Sequence, residues 1–326
     1  MKCLTKYFVT IIIVLGGICF GPSPLLFMNK ASASTVDYTF PTSVVKYLNS
    51  LQIPHDVYVE LVRCLTLGNE IQSNKVGAKQ VKILQAFYEK TKSKLEKAPP
   101  VSALQSQKGT KITVVHYHQL LGNQMNAVRA LCYYVDYDIA KNDKIAALEH
   151  FLLINQLAEV RLGEGEKLIY WRILANVTTE FQLLLDKFTF TDKELSLLAR
   201  EWKTLLSKRQ NRLLQPGDNY LFEQIEQQIL KNQEERKWFR QEKDSFFSNQ
   251  KQALIRAECA YVGICALRYR REIKHWPSTI QDLIPRFLQK TDSIWAKKIK
   301  MKPVKNYFEI YSDTNQEKPN FIILAK

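Results

Sequence analysis

Glycine and proline are scarce, with 11 of each among 326 residues, about half their usual share. Sandwiches, barrels and doubly wound sheets need many turns. The scarcity therefore points to long helices as the bulk of the fold. Catalytic signatures are missing too. The chain has no G-x-S-x-G, no P-loop and no G-x-G-x-x-G, and Gly163-Glu164-Gly165 reads as a turn. Without C-x-x-C or C-x-x-C-H, zinc ribbons and attached c-type haem are excluded.

Histidine is limited to His55, His116, His118, His150 and His275, with no H-E-x-x-H. On a helix, His116 and His118 diverge by about 200°, and a zinc site needs three or four ligands. Glu149, Glu159, Glu164 and Glu166 fit the solvated faces of amphipathic helices. No catalytic residue, metal ligand or cofactor is assigned, and an enzyme without a recognisable motif stays as an alternative.

What is present is a globular composition, 46% hydrophobic and 24% charged, with a net charge of +15. The N-terminus reads as an export signal. Lys2 and Lys6 precede an apolar run centred on Ile11 to Leu15, and Ala31-Ser32-Ala33-Ser34 follows as an A-x-A-like site. Cleavage after Ala33 is expected. Tyr7 to Met28 is free of charge over 22 residues, long enough to span a bilayer of ~30 Å, so a retained inner-membrane anchor is the alternative. Cleavage removes Lys2, Lys6 and Lys30, taking the charge from +15 to +12. Cys64, Cys132, Cys259 and Cys265 then remain. Buried thiols are the preferred reading, with a Cys64–Cys132 bridge left open.

Residues 123–162, 166–215 and 218–262 contain neither glycine nor proline, as helical hairpins do. Apolar residues recur at helical spacing, as in Leu195, Leu198, Trp202 and Leu205. Thr191 to Glu194 forms a capping box. Two or three helices are expected within 34–97, the clearest over 76–97, followed by a linker. Further helices are expected over 113–140, 143–161, 166–187, 191–208, 219–243 and 248–273. A short helix begins with a box from Ser278 to Gln281. Strands at 306–311 and 320–325 close the chain as a hairpin. The fold class is mainly α, an irregular helical bundle or solenoid with a small α+β C-terminal module. Four regions follow: 1–33 as signal or anchor, 34–110 as helical region and linker, 111–247 as helical body, and 248–326 as C-terminal module.

The stretch Arg256 to Leu288 carries the most distinctive pattern. Trp276-Pro277, Asp282-Leu283-Ile284-Pro285 and Phe287-Leu288 follow a helix and precede the hairpin. This arrangement resembles the C-terminal module of uncharacterised secreted or membrane-anchored bacterial proteins. It is also similar to the soluble part of type II secretion pseudopilins. Arg129 to Leu206 resembles the helical body of those uncharacterised proteins, in its Asn142-Asp143 turn, Ala146-Ala147-Leu148 and Glu166-Lys167-Leu168-Ile169. The resemblance implies an exported helical protein with a pseudopilin-like end, and no activity. A lysine-rich run replaces the acidic, glycine-rich end of such modules, so no calcium role carries over. The pilin processing motif is absent as well.

Basic clusters are the remaining signal. Arg268, Arg270, Arg271 and Lys274 precede Trp276, and Lys297, Lys298, Lys300, Lys302 and Lys305 follow it. Sharing a face, they would attract an anionic envelope protein, polymer or lipid surface, with nucleic acid disfavoured by export. The expectation is an extracytoplasmic, non-enzymatic scaffold or interaction protein with a basic C-terminal contact. An accessory of a type II secretion or pilus-like apparatus is the alternative.

Overall fold

The computed structural model describes residues 38–51, 89, 109–112, 114–160, 167–207, 233–289, 299–304, 307–312 and 321–324. The expected signal segment, the expected linker up to 108, the stretch 208–232 and, apart from Glu89, the helix expected over 76–97 lie outside them. The described architecture is mainly helical, with a small sheet in the C-terminal module. No helix among the described residues is long and apolar enough to cross a membrane. They fall into two units, one drawn from 1–134, 159–169 and 214–248, the other from 135–158, 170–213 and 249–326.

In the first unit, β1 (Tyr38–Pro41) runs directly into α1 (Thr42–Ser50). β1 pairs antiparallel with β2 (Gly109–Ile112), with Tyr38 opposite Ile112. The segments before and after this ribbon's long connection were expected to be helix and linker. The pairing is non-local, so neither strand shows it alone. α2 (Val114–Lys141) then begins and packs on α1. The Asn123 amide donates to the Leu48 carbonyl at 3.2 Å, satisfying an acceptor in the last turn of α1. Val44, Leu48, Leu120 and Val128 are buried around that contact.

In the second unit, α2 ends where Asn142 adopts a left-handed φ of 59°, a conformation that asparagine tolerates. Asp143 then accepts from the Ala146 amide at 3.1 Å and starts α3 (Lys144–Glu159). α4 (Lys167–Lys187) buries Ile173, Val177, Phe181 and Leu184 on one stripe. α5 (Asp192–Ser207) begins at the expected box. The Thr191 amide donates to Glu194 at 2.6 Å, and the Glu194 amide donates to the Thr191 hydroxyl at 3.3 Å. Phe151, Phe181 and Trp202 form an aromatic cluster with centroids 5.4–6.1 Å apart. The Tyr170 hydroxyl donates to the Leu205 carbonyl near the end of α5.

The spine of this unit belongs to α6 (Gln233–Ile273). A break near residues 244–247 was expected; the helix runs through it unbroken, because Asp244-Ser245-Phe246-Phe247 contains no glycine or proline to stop it. Residues 257–266 are all buried, the signature of a helix enclosed on every side. Small residues make that enclosure close. An added Cβ at Gly263 would lie 3.0 Å from Phe321 and 3.3 Å from Ile310.

Those contacts come from a three-stranded antiparallel sheet of β3 (Ile299–Val304), β4 (Tyr307–Ser312) and β5 (Phe321–Leu324), in that order. The hairpin β4–β5 was expected and β3 was not. Its lysines hid a period of two, with Ile299 and Met301 buried while Lys300 and Lys302 are exposed. Between α6 and β3 the chain turns at Pro277. The cap sits one residue later than expected: the Asp282 carboxylate accepts from the amides of Ser278 at 2.6 Å and Thr279 at 2.8 Å. The element it starts is a single 3-10 turn, Ile280–Leu283. Leu283 and Leu288 are buried there, and the Cys265 thiol donates to the Phe287 carbonyl at 3.1 Å. Cys132, Cys259 and Cys265 are buried thiols; Cys64 lies outside the described residues.

Candidate functional site

Two places in the second unit hold more charge chemistry than packing requires, one inside and one on the surface. The interior one was missed by sequence reasoning. Asp136 and Asp138 leave the last turns of α2 in different directions. The Asp138 carboxylate accepts from the ring of His150 on α3, and both side chains are buried. Asp136 hydrogen-bonds the carboxyl of Glu180 on α4, which is 6% exposed. Burial pushes the Asp136 carboxyl up to about 6, against the opposing effect of the Glu180 hydrogen bond. Glu258 and Arg172 are buried in the same unit, at 0% and 8% exposure. Burial, and next the charge of Glu258, hold the Cys259 thiol above its ordinary range.

Such groups are seldom buried without partners. Asp136-x-Asp138 within the apolar stretch 130–140 of α2 was the available signal. The partners, however, lie 12 and 44 residues away on other helices, where no local pattern shows them. His116 belongs to the first unit and donates to Asn49 at 3.2 Å. Among the described residues, no three His, Cys, Asp or Glu side chains gather as a metal site.

The surface site is the basic C-terminal module, and the fold divides its cations. Arg270 stacks over Trp276 at 4.5 Å, and Trp276 lies face to face with Phe308 at 4.4 Å and 8°. Trp276 thus fills the space between Arg270 of α6 and Phe308 of the sheet. Arg268 lies over the Phe287 ring at 5.7 Å. Arg271 pairs with Asp192 at 3.1 Å, which ties the end of α6 to the start of α5. Lys274 ends α6 in a left-handed conformation, φ 71°, and is exposed.

Lys300 and Lys302 stand elsewhere. Phe308, Ile310 and Phe321 are buried on the sheet face that meets α6. Lys300 and Lys302 have the opposite parity along β3 and point to the other face, about 7 Å apart. Tyr311 lies opposite Lys300 and Glu309 opposite Lys302, both half-buried. The sheet therefore separates the arginines from these lysines. Lys297, Lys298 and Lys305 lie outside the described residues.

A second charged contact belongs to the cap of α5. Burial raises the Glu194 carboxyl, but hydrogen bonds from Lys144 and Thr191 outweigh it and hold the group below the usual carboxylate range. Lys144 meets Glu194 at 2.7 Å and fixes the start of α3 to the start of α5. Comparison with protein-family models, curated proteins and solved structures finds no match.

Proposed function

We propose that this chain is an exported cell-envelope protein that acts without chemistry. It would serve as a scaffold or interaction protein and meet an anionic surface through the outer face of its C-terminal sheet. The observation that carries the reading is the parity of β3. Lys300 and Lys302 are exposed together on one face while Ile299 and Met301 are buried on the other. The arginines of α6 hold aromatic rings and Asp192, and Lys300 and Lys302 add exposed positive charge on the sheet. Tyr311 beside Lys300 adds an amphipathic ring of the kind that suits a polar interface. The charge of +12 left after the expected cleavage favours approach to any anionic surface.

The test is sedimentation of the full chain with phosphatidylglycerol vesicles, phosphatidylcholine vesicles and immobilised polyphosphate, at low and high salt. Retention on the anionic supports that weakens with salt is expected. Equal retention on the neutral vesicles would reject the reading.

A further inference from the structure

We infer that Arg268, Arg286 and Lys203 frame a binding site for a phosphate group beside the Phe287 ring. The site does not rest on the sheet face. Three segments of the second unit deliver its cations: α6 carries Arg268, the segment after the 3-10 turn carries Arg286, and α5 carries Lys203. The guanidinium carbons of Arg268 and Arg286 stand 5.7 and 5.6 Å from the centroid of one ring, that of Phe287. Their separation is therefore at most the sum of the two, 11.3 Å. Lys203 donates to the Gln289 side chain at 3.0 Å, two residues beyond the ring.

The platform between these cations is fixed. Phe287 is buried, its ring meets Tyr269 edge-on at 5.8 Å, and its carbonyl accepts from the Cys265 thiol. A guanidinium held over a ring uses its flat face for that contact and keeps its in-plane N–H donors. Those donors form a fork that matches two oxygens of a phosphate. Two guanidiniums beside one ring also repel each other, and an oxyanion between them offsets the repulsion. Donors arriving from three segments suit a phosphate group, with its three strong acceptor oxygens, better than a carboxylate with two.

The contact that holds Arg268 is the ring rather than a carboxylate. Arg286 does meet a carboxylate, that of Glu272, one helical turn after Arg268 on α6. Glu272 is thus a built-in competitor, because it takes donors that a phosphate would use. Both side chains of this pair are accessible, at 65% and 38% exposure, so a phosphate can enter and Arg286 can turn toward it. Lys274 and His275 are exposed just beyond, past the end of α6. The nearby Asp282 carboxylate is held by the amides of Ser278 and Thr279.

Calorimetric titration of the full chain with inorganic phosphate tests this, against acetate at the same pH and ionic strength. Phosphate also stabilises proteins in general by exclusion from their surfaces, so binding rather than melting is the readout. The wild type should take up phosphate saturably and hold it more tightly than acetate. Arg268→Gln and Arg286→Gln should each weaken phosphate by about tenfold or more, with folding checked by circular dichroism. Arg256→Gln, elsewhere on the exposed surface of α6, should match the wild type. Glu272→Gln removes the competitor and should tighten phosphate by up to about fivefold. Absence of saturable uptake, acetate held as tightly as phosphate, or wild-type affinity in both arginine variants would overturn the site. Weaker phosphate binding by Glu272→Gln would overturn it as well, and that reading needs neither arginine variant to fold.

Discussion

Adding one methyl group at two different helical glycines should move stability in opposite directions. Gly122 on α2 has nothing within 4 Å of an added Cβ. Alanine there gains helix propensity of about 1 kcal/mol with no steric cost. Gly263 on α6 gains the same term but meets Phe321 at 3.0 and 3.1 Å and Ile310 at 3.3 Å. Phe321 cannot easily retreat, because it is 3% exposed and stacks on Phe181 at 5.8 Å. Overpacking of a filled core costs about 1–3 kcal/mol, which exceeds the propensity gain. Gly263→Ala should therefore lose about 1 kcal/mol net, and Gly122→Ala should gain up to about 1 kcal/mol. Each corresponds to roughly 2–4 °C in a chain of this size.

Thermal and urea unfolding followed by far-ultraviolet circular dichroism reads both variants, and tryptophan fluorescence gives a second probe. Gly263→Leu should be far worse than Gly263→Ala, because the larger side chain has no space to enter. If Gly263→Ala stabilises as much as Gly122→Ala, the sheet does not sit on α6 as described.

Other consequences follow from single contacts. Trp276→Ala removes the ring between Arg270 and Phe308 and should cost about 2–4 kcal/mol in stability by urea unfolding. Arg270→Ala alone should cost about 1 kcal/mol or less. Thr191→Ala opens the cap of α5 and should cost about 1 kcal/mol. Glu194 is held below its usual range, so its contribution is present above pH 4.5 and lost as pH falls through the lower folded value. Glu194→Gln should remove that acid-side component, read as a flatter stability profile below pH 4.5.

Much of the helical body was legible because its rules are local. The stripe of Leu195, Leu198, Trp202 and Leu205 is buried as spaced, and Thr191 with Glu194 makes the expected box. The turn at Asn142-Asp143 needed only residues that tolerate a left-handed backbone and cap the next helix. What escaped notice was non-local. β1 finds β2 across 67 intervening residues. β3 carries lysines on alternate positions that imitate a basic run, although Ile299 and Met301 between them face the core. The acids of α2 look ordinary until α3 and α4 bring His150 and Glu180 to them. Whether the basic residues share a face is not legible in sequence, because sequence does not tell which arginines will stack on rings.

The most direct test of the proposed contact compares charge reversal on the two sides of the sheet. Lys300→Glu with Lys302→Glu should cost the full chain about 2 kcal/mol or more of affinity for phosphatidylglycerol vesicles, with folding unchanged by circular dichroism. Arg271→Ala, on the other side, should leave that affinity within about twofold. Loss of binding with Arg271→Ala and retention with the double lysine variant would contradict the account.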